Sequence, residues 1–245
     1  MTKAYSHARI ADDKNEIIIV PGLMGKMVKF AHGKQDVLKA IWGYQIYQYP
    51  MEGYGKDMFL GHVPPTFSAT SASGDSVKLA ADTPNGLAEK TFALKNGALA
   101  YSLHFHARQN TKGKLSTSPR FNMNADCFGI YPKLYIANGN GWKIVELGKA
   151  GTMWYQAASL PMDGFSGKMY LIAEDGHLGL EIQIPPQQLG AAGYMYDRYD
   201  FQPEVSGRLL ELTFSTPERD VASGDTISLD IIYHILQKDE IPPLD

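Results

Sequence analysis

A period-two alternation of apolar and polar side chains, repeated in short runs from end to end, constrains this chain more than any other feature of its sequence. Successive side chains on an extended strand point to opposite faces, so each run predicts a strand with one buried side and one wet side. Residues 99–108 are the clearest case. Leu99, Tyr101, Leu103, Phe105 and Ala107 fall on one face; Ser102, His104, His106 and Arg108 fall on the other. The same split sets Leu178, Leu180, Ile182 and Ile184 against Glu181 and Gln183, and Leu210, Leu212 and Phe214 against Glu211 and Thr213. It returns near the end of the chain, where Ile227, Leu229, Ile231, Tyr233 and Ile235 oppose Thr226, Ser228, Asp230 and His234.

Strands are predicted at 16–20, 26–31, 77–81, 90–94, 99–108, 133–137, 142–147, 152–156, 168–173, 178–184, 208–215 and 226–236. Helical periodicity is scarce, so the prediction is an all-β fold in which two antiparallel sheets pack face to face, with few or no helices. Asn138-Gly139-Asn140-Gly141 separates two of these strands with residues that tolerate positive φ, which predicts a tight hairpin. The Ser/Thr/Ala-rich stretch 66–76, entered through Pro64-Pro65, reads as a surface loop. Neither a repeat nor a linker divides the chain, so residues 1–245 are expected to form one domain.

Apolar residues at 44% and charged residues at 20% are the balance of an ordinary globular protein. A formal charge of −3 supplies no global field for nucleic acid or an anionic membrane, and neither is expected as a partner. The apolar runs are too short for a membrane span or a signal segment, which gives the expectation of a cytoplasmic protein, with a trimmed exported one as the alternative. A single cysteine, Cys127, allows no internal disulfide. Quaternary state is left as a monomer or a homodimer paired through an edge strand.

The polar strand faces hold the candidate chemistry. If the strands share a sheet, His104, His106, Arg108, Glu181, Gln183 and Glu211 lie on one surface that binds hydroxyls or moves protons. Two imidazoles and a guanidinium in succession are unusual for a merely solvated strand face, which more often carries Thr, Lys and Glu. Trp42, Tyr44, Tyr47, Tyr49 and Tyr54 form a dense aromatic group suited either to stacking on a sugar ring or to closing one end of a sandwich. Tyr194, Tyr196 and Tyr199 alternate with Asp197, Arg198 and Asp200 and leave a similar choice, between rimming a cleft and capping an edge strand.

Three segments carry a resemblance to a known family. Glu16-Ile-Ile-Ile-Val-Pro-Gly-Leu-Met-Gly-Lys-Met-Val-Lys-Phe30 looks like the opening of galactose-mutarotase-like (aldose 1-epimerase-like) proteins, in which a strand ends at a proline and a glycine-bearing turn leads to the next strand. Leu210-Glu-Leu-Thr-Phe-Ser-Thr-Pro217, continuing through Val221-Ala-Ser-Gly-Asp-Thr226, is similar to that superfamily's closing pattern, and residues 101–110 resemble its central strand ending in Asn. The resemblance implies a supersandwich with a carbohydrate cleft on its concave sheet face. It also implies ring-opening epimerisation, in which a carboxylate takes the anomeric hydroxyl proton and a histidine protonates the ring oxygen. Glu211 falls at the position of the base, with Glu181 as the alternative. The family's acid lies in a His-aromatic motif, whereas this chain reads Ser118-Pro-Arg-Phe-Asn-Met-Asn-Ala-Asp-Cys-Phe128 there, with no histidine between His106 and His177. Either His104 or His106 supplies the acid, or the epimerase chemistry is absent.

The expectation is therefore a saccharide-binding or saccharide-transforming protein. His104, His106 and Glu211 are its catalytic candidates; Arg108, Arg120, Glu181, Gln183, Trp42 and Tyr44 are its substrate-binding candidates. The first alternative is a polysaccharide lyase, with His104 or His106, or a tyrosine such as Tyr131 or Tyr135, abstracting a proton while Arg108 neutralises a uronate. The second is a non-catalytic sugar-binding module. No cofactor is expected. The His104-Phe105-His106 spacing suits a metal, but the adjacent Arg108 opposes one, so no metal site is assigned. No phosphate-binding loop, dinucleotide fingerprint or nucleophile elbow is present.

Overall fold

The computed structural model describes residues 6–38, 52–54, 66–123, 126–147, 155–199 and 207–244. In chain order its strands are β1 (Ala8–Ala11), β2 (Asn15–Val20), β3 (Lys26–His32), β4 (Gln35–Asp36), β5 (Glu52–Tyr54), β6 (Ser68–Ala72), β7 (Ser76–Thr83), β8 (Gly86–Lys95), β9 (Ala98–Ala107), β10 (Thr111–Gly113), β11 (Leu115–Thr117), β12 (Arg120–Asn122), β13 (Lys133–Asn138), β14 (Gly141–Glu146), β15 (Tyr155–Ser159), β16 (Phe165–Ile172), β17 (Leu178–Gln183), β18 (Ala191–Tyr199), β19 (Gly207–Ser215), β20 (Arg219–Val221) and β21 (Thr226–Gln237). The helices among the described residues are two single 3-10 turns, Pro186–Gln188 and Lys238–Glu240.

Two sheets dominate. Nine strands run in the order β14-β13-β16-β17-β21-β9-β8-β7-β6, and six form β15-β18-β19-β11-β5 with β12 also paired to β19. Every pairing among the described strands is antiparallel, which matches the half-buried alternation, because antiparallel sheets can leave one face to solvent. A four-stranded sheet, β1-β2-β3-β4, is followed by a bridge between Leu38 and Phe121 that ties this part of the chain to β12. β10 and β20 form a separate pair.

The faces predicted to be apolar meet in one continuous core. Leu99, Leu103 and Phe105 on β9, Leu229 and Ile231 on β21, and Leu180 and Ile182 on β17 are fully or almost fully buried. From the six-stranded sheet, Leu210, Leu212 and Phe214 on β19 enter the same cluster, with Leu115 on β11. Each such aliphatic or aromatic side chain contributes about 1.5–3 kcal/mol by leaving water, so the alternation fixes which way every strand must face.

Each of the twelve predicted segments coincides with a strand wherever it is described; of 152–156, only the last two residues fall among those. The hairpin at Asn138–Gly141 is present, with those two residues paired and the Asn140 amide capped by the Asn138 side chain. Stretch 66–76 is corrected: Ser68–Ala72 is the outermost strand of the nine-stranded sheet, with all five residues exposed. An edge strand buries neither face here, so its sequence lacks the apolar half that marks a strand. Strand β18 also went unread, because its tyrosines alternate with charged residues instead of aliphatic ones. Tyr194 and Tyr196 point into the core, the Tyr196 hydroxyl donating to the Ile130 carbonyl at 2.9 Å, and β18 lies between β15 and β19. They neither rim a cleft nor cap an edge.

Lys90 departs from the pattern. It occupies a core-facing position on β8 between Ala88 and Phe92, 1% exposed, with its ammonium donating to the Met24 carbonyl at 2.6 Å and lying 4.3 Å from the centre of the Phe67 ring. Met24 and Gly25 hold this turn with positive φ, and a side chain at Gly25 would press on Leu79 and Phe67. Glycine is required there on both counts.

Candidate functional site

The candidate residues divide between the two outward surfaces of the sandwich. His104 and His106 leave β9 on the side opposite Leu103 and Phe105, so they lie on the outer face of the nine-stranded sheet. Glu211 leaves β19 opposite Leu210 and Leu212, so it lies on the outer face of the six-stranded sheet. The core fills the space between them. Sheets packed face to face stand about 10 Å apart at the backbone, and both sets of side chains point away from that gap. The expected convergence of His104, His106 and Glu211 on one surface is therefore corrected. Alternation gives the direction of each side chain relative to its own sheet but not the sheet to which the strand belongs.

On the nine-stranded face each imidazole is held by its own carboxylate. His104 Nε2 lies 3.2 Å from Asp230 Oδ1, and Gln188 donates to the other carboxylate oxygen at 2.8 Å while accepting from the Asp230 amide at 2.7 Å. His106 contacts Glu89 at 2.8 Å through Nε2 and the Thr226 hydroxyl at 2.9 Å through Nδ1. Lys78 reaches the second oxygen of Glu89 at 3.0 Å, and Arg108 is paired with Asp82. The hydrogen bond that His104 donates to Asp230 raises the His104 pKa, and the same bond lowers Asp230 to about 2. Burial alone would raise Glu89, but its bonds to Lys78 and His106 carry it below the usual carboxylate value. The ion-paired side chains are a third or more exposed, apart from Glu89. They form cross-strand ladders on an open surface. Among the described residues no three His, Cys, Asp or Glu side chains gather as a metal would require.

Glu181 and Gln183 share this face but lie toward its other end. Glu181 is registered with His234 on β21, six positions from the Ser228 that faces His104, a separation of about 20 Å along the strand. The Glu181 carboxylate accepts from the Tyr170 hydroxyl at 2.9 Å and from Lys168 at 2.7 Å. Burial opposes its ionisation, and those two donors outweigh it, leaving the pKa lowered.

The six-stranded face brings together Arg120 and Glu211. They are direct cross-strand partners on β12 and β19, with Arg120 Nε donating to Glu211 Oε2 at 2.7 Å. Both point away from the core, yet the Arg120 side chain is only 4% exposed and that of Glu211 16%. A charged pair so enclosed on an outward sheet face is covered from the outer side, since an open face would leave such long side chains in water. Ser116 bonds Ser215 at 2.8 Å and Ser118 bonds Thr213 at 3.0 Å beside it, and Met195 on β18 flanks Glu211 from the other side. Lys26 is also nearly buried; its pKa is lowered by burial and further by the Arg120 charge. The outcome is a small, hydroxyl-rich surface around one carboxylate and one guanidinium.

The sequence pointed to Arg120 and Glu211 but gave no means of pairing them, and it missed Glu89, Gln188 and the Ser/Thr rows. Glu89 was obscured by Lys90, whose core-facing charge breaks the alternation just where β8 begins to be legible. Trp42 and Tyr44, with Tyr47 and Tyr49, lie outside the described residues.

No family model matches the chain, and no curated protein matches it. Solved structures do. A GalM/aldose epimerase homologue from C. elegans superposes with a TM-score of 0.70 at 11% identity, covering 96% of this chain and 99% of that one. A galactose mutarotase related enzyme from Lactobacillus acidophilus gives 0.63 at 9% identity, over 97% and 100% of the two chains. A galactose mutarotase-like protein from Lactobacillus casei gives 0.64 at 10% identity, over 94% and 100%. The chain has the galactose mutarotase-like fold, reached with a sequence far removed from these structures.

Proposed function

We propose that this mutarotase-fold chain binds a sugar at the Arg120–Glu211 pair and that Glu211 acts there as a base on the anomeric hydroxyl of an aldose. The observation that carries the reading is the enclosed pair on the outward face of the six-stranded sheet, 2.7 Å apart. Polar groups held in place by cross-strand neighbours recognise hydroxyls without reorganising, and enclosure strengthens each bond they make. Arg120 orients the Glu211 carboxylate through one oxygen. The other is directed to substrate. The fold, shared with structures named for aldose epimerisation, supports the same class of ligand.

In this scheme Glu211 takes the proton from the C1 hydroxyl, the ring C1–O5 bond breaks as the carbonyl forms, and a proton is delivered to O5. Rotation about C1–C2 and reclosure give the other anomer. His104 and His106 do not serve as the acid, because they lie on the opposite surface. The proton to O5 comes from another group or from water, so the expected rate is lower than with a paired imidazole.

The lyase alternative has less support. His104, His106 and Arg108 are each engaged by carboxylates, and Tyr135 lies on β13, separated from β9 by three intervening strands.

Exchange spectroscopy on α- and β-anomers of D-glucose and D-galactose tests the reading. Exchange above buffer that falls by about 100-fold or more in Glu211→Gln supports it. Exchange equal to buffer, or unchanged in the variant, contradicts the assignment of Glu211.

A further inference from the structure

The outer face of the nine-stranded sheet holds a second feature, at the end away from the histidine ladders. Ile144, Tyr135, Tyr170, Glu181 and His234 are aligned in direct register across β14, β13, β16, β17 and β21. All five point outward, because their chain neighbours Val145, Leu134, Met169, Leu171, Leu180, Ile182, Tyr233 and Ile235 pack inward. Trp142 adds a ring, edge-on to Tyr170 at 5.4 Å. Ile144 is 54% exposed, and Ile232, one row along, is 40% exposed.

The polar members of this row are already organised. Glu181 is held by Tyr170 and Lys168, and His234 lies 3.8 Å from its second oxygen. Lys168 and Glu181 cancel, so the strip presents neither the cationic field that gathers a polyanion nor the acidic one that gathers a basic peptide. What remains is the half-buried Tyr135 and Trp142 rings beside the buried Tyr170, 5% exposed, bordered by ammonium, amide and imidazole donors. That is the complement of a neutral sugar, whose C–H faces rest on rings and whose hydroxyls take hydrogen bonds at the margin.

Size argues in the same direction. Five strands cover about 24 Å and two side-chain rows about 14 Å, a footprint of roughly 340 Å². A stable protein interface covers about 800 Å² on each partner. The strip is too small for that and long enough for a short glycan laid across the strands.

We propose that Trp142 and Tyr135, backed by the buried Tyr170 and with Lys168 and Gln183 at their margin, form a shallow non-catalytic platform for a neutral oligosaccharide. It lies on the opposite surface from the Arg120–Glu211 pair. The platform is independent of that pair and holds whether or not Glu211 performs chemistry.

Amide chemical-shift titration of the full chain with cellotetraose, maltotetraose and xylotetraose tests it, in wild type, Trp142→Ala, Trp142→Phe and Glu211→Gln. At least one tetraose is expected to shift amides of β13, β14 and β16 with a Kd of about 1 mM, as suits an open site. Trp142→Ala weakens this about tenfold, Trp142→Phe retains most of it, and Glu211→Gln leaves it unchanged. Thermal unfolding of each variant verifies that the fold is kept. No shift at these strands with any tetraose overturns the proposal, as do shifts that survive Trp142→Ala. Concentration-dependent shifts of the same strands without sugar overturn it in favour of a second copy of the chain.

Discussion

Glu211 and Arg120 are cross-strand neighbours on β19 and β12, joined at 2.7 Å on the side of their sheet that faces away from the core. The pair is far less exposed than an ordinary surface ion pair, with the guanidinium almost entirely covered. Removing Arg120 leaves the Glu211 carboxylate enclosed without its guanidinium, whereas replacing both by apolar side chains removes that cost. Arg120→Ala is expected to lose about 2–4 kcal/mol in urea unfolding. Arg120→Met combined with Glu211→Leu recovers most of that stability while abolishing sugar binding. A double variant no more stable than Arg120→Ala would show that the pair is not coupled.

The His104–Asp230 pair makes stability depend on pH in two windows. The His104 pKa is raised, chiefly by its bond to Asp230, so its contribution is fully present below the unfolded value near 6.5 and is lost as pH rises through the folded value. Asp230 is lowered from 3.8 to about 2, so its contribution is present above 3.8 and is lost as pH falls toward 2. Both side chains are more than a third exposed, and solvent screening holds the effect to about 1 kcal/mol or less. Asp230→Asn flattens both windows in unfolding free energy measured from pH 2 to 9. An unchanged profile in the variant would exclude the pair as their source.

Lys90 gives a stability profile of the opposite sense to His104. Burial pushes its ammonium well below 10.5, and the Lys26 charge adds to the effect. A base whose folded pKa is depressed costs stability at neutral pH, and the cost disappears as pH rises toward its unfolded value. Lys90→Met removes that cost but leaves the Met24 carbonyl without its ammonium donor. Relative to Lys90→Met, the wild type should therefore gain stability steadily between pH 7 and pH 10 in chemical denaturation. A constant difference across that range would show that the amine is solvated in the folded state.

The sequence was most informative where one physical rule acts alone. Strands such as β9, β17, β19 and β21 were legible because each must bury one face, and Leu103 or Leu212 cannot satisfy that requirement on the other side. Edge strand β6 buries neither face, and β18 buries tyrosines that also serve well at a surface, so neither announced itself. The site depended on a second kind of information. His104 and Glu211 occupy equivalent polar positions on their strands, and only the pairing order shows that β9 belongs to the nine-stranded sheet and β19 to the six-stranded one. That order is set by contacts between residues far apart in the chain, such as Arg120 with Glu211, which strand periodicity does not encode.

Amide chemical-shift mapping with D-glucose and D-galactose tests the central claim most directly. Saturable shifts at 118, 120, 195 and 211–213 that vanish in the Arg120→Met, Glu211→Leu double variant are the predicted result. Shifts confined to His104, His106 and Asp230, or none at any sugar concentration reached, would contradict the assignment of the sugar site to the six-stranded sheet.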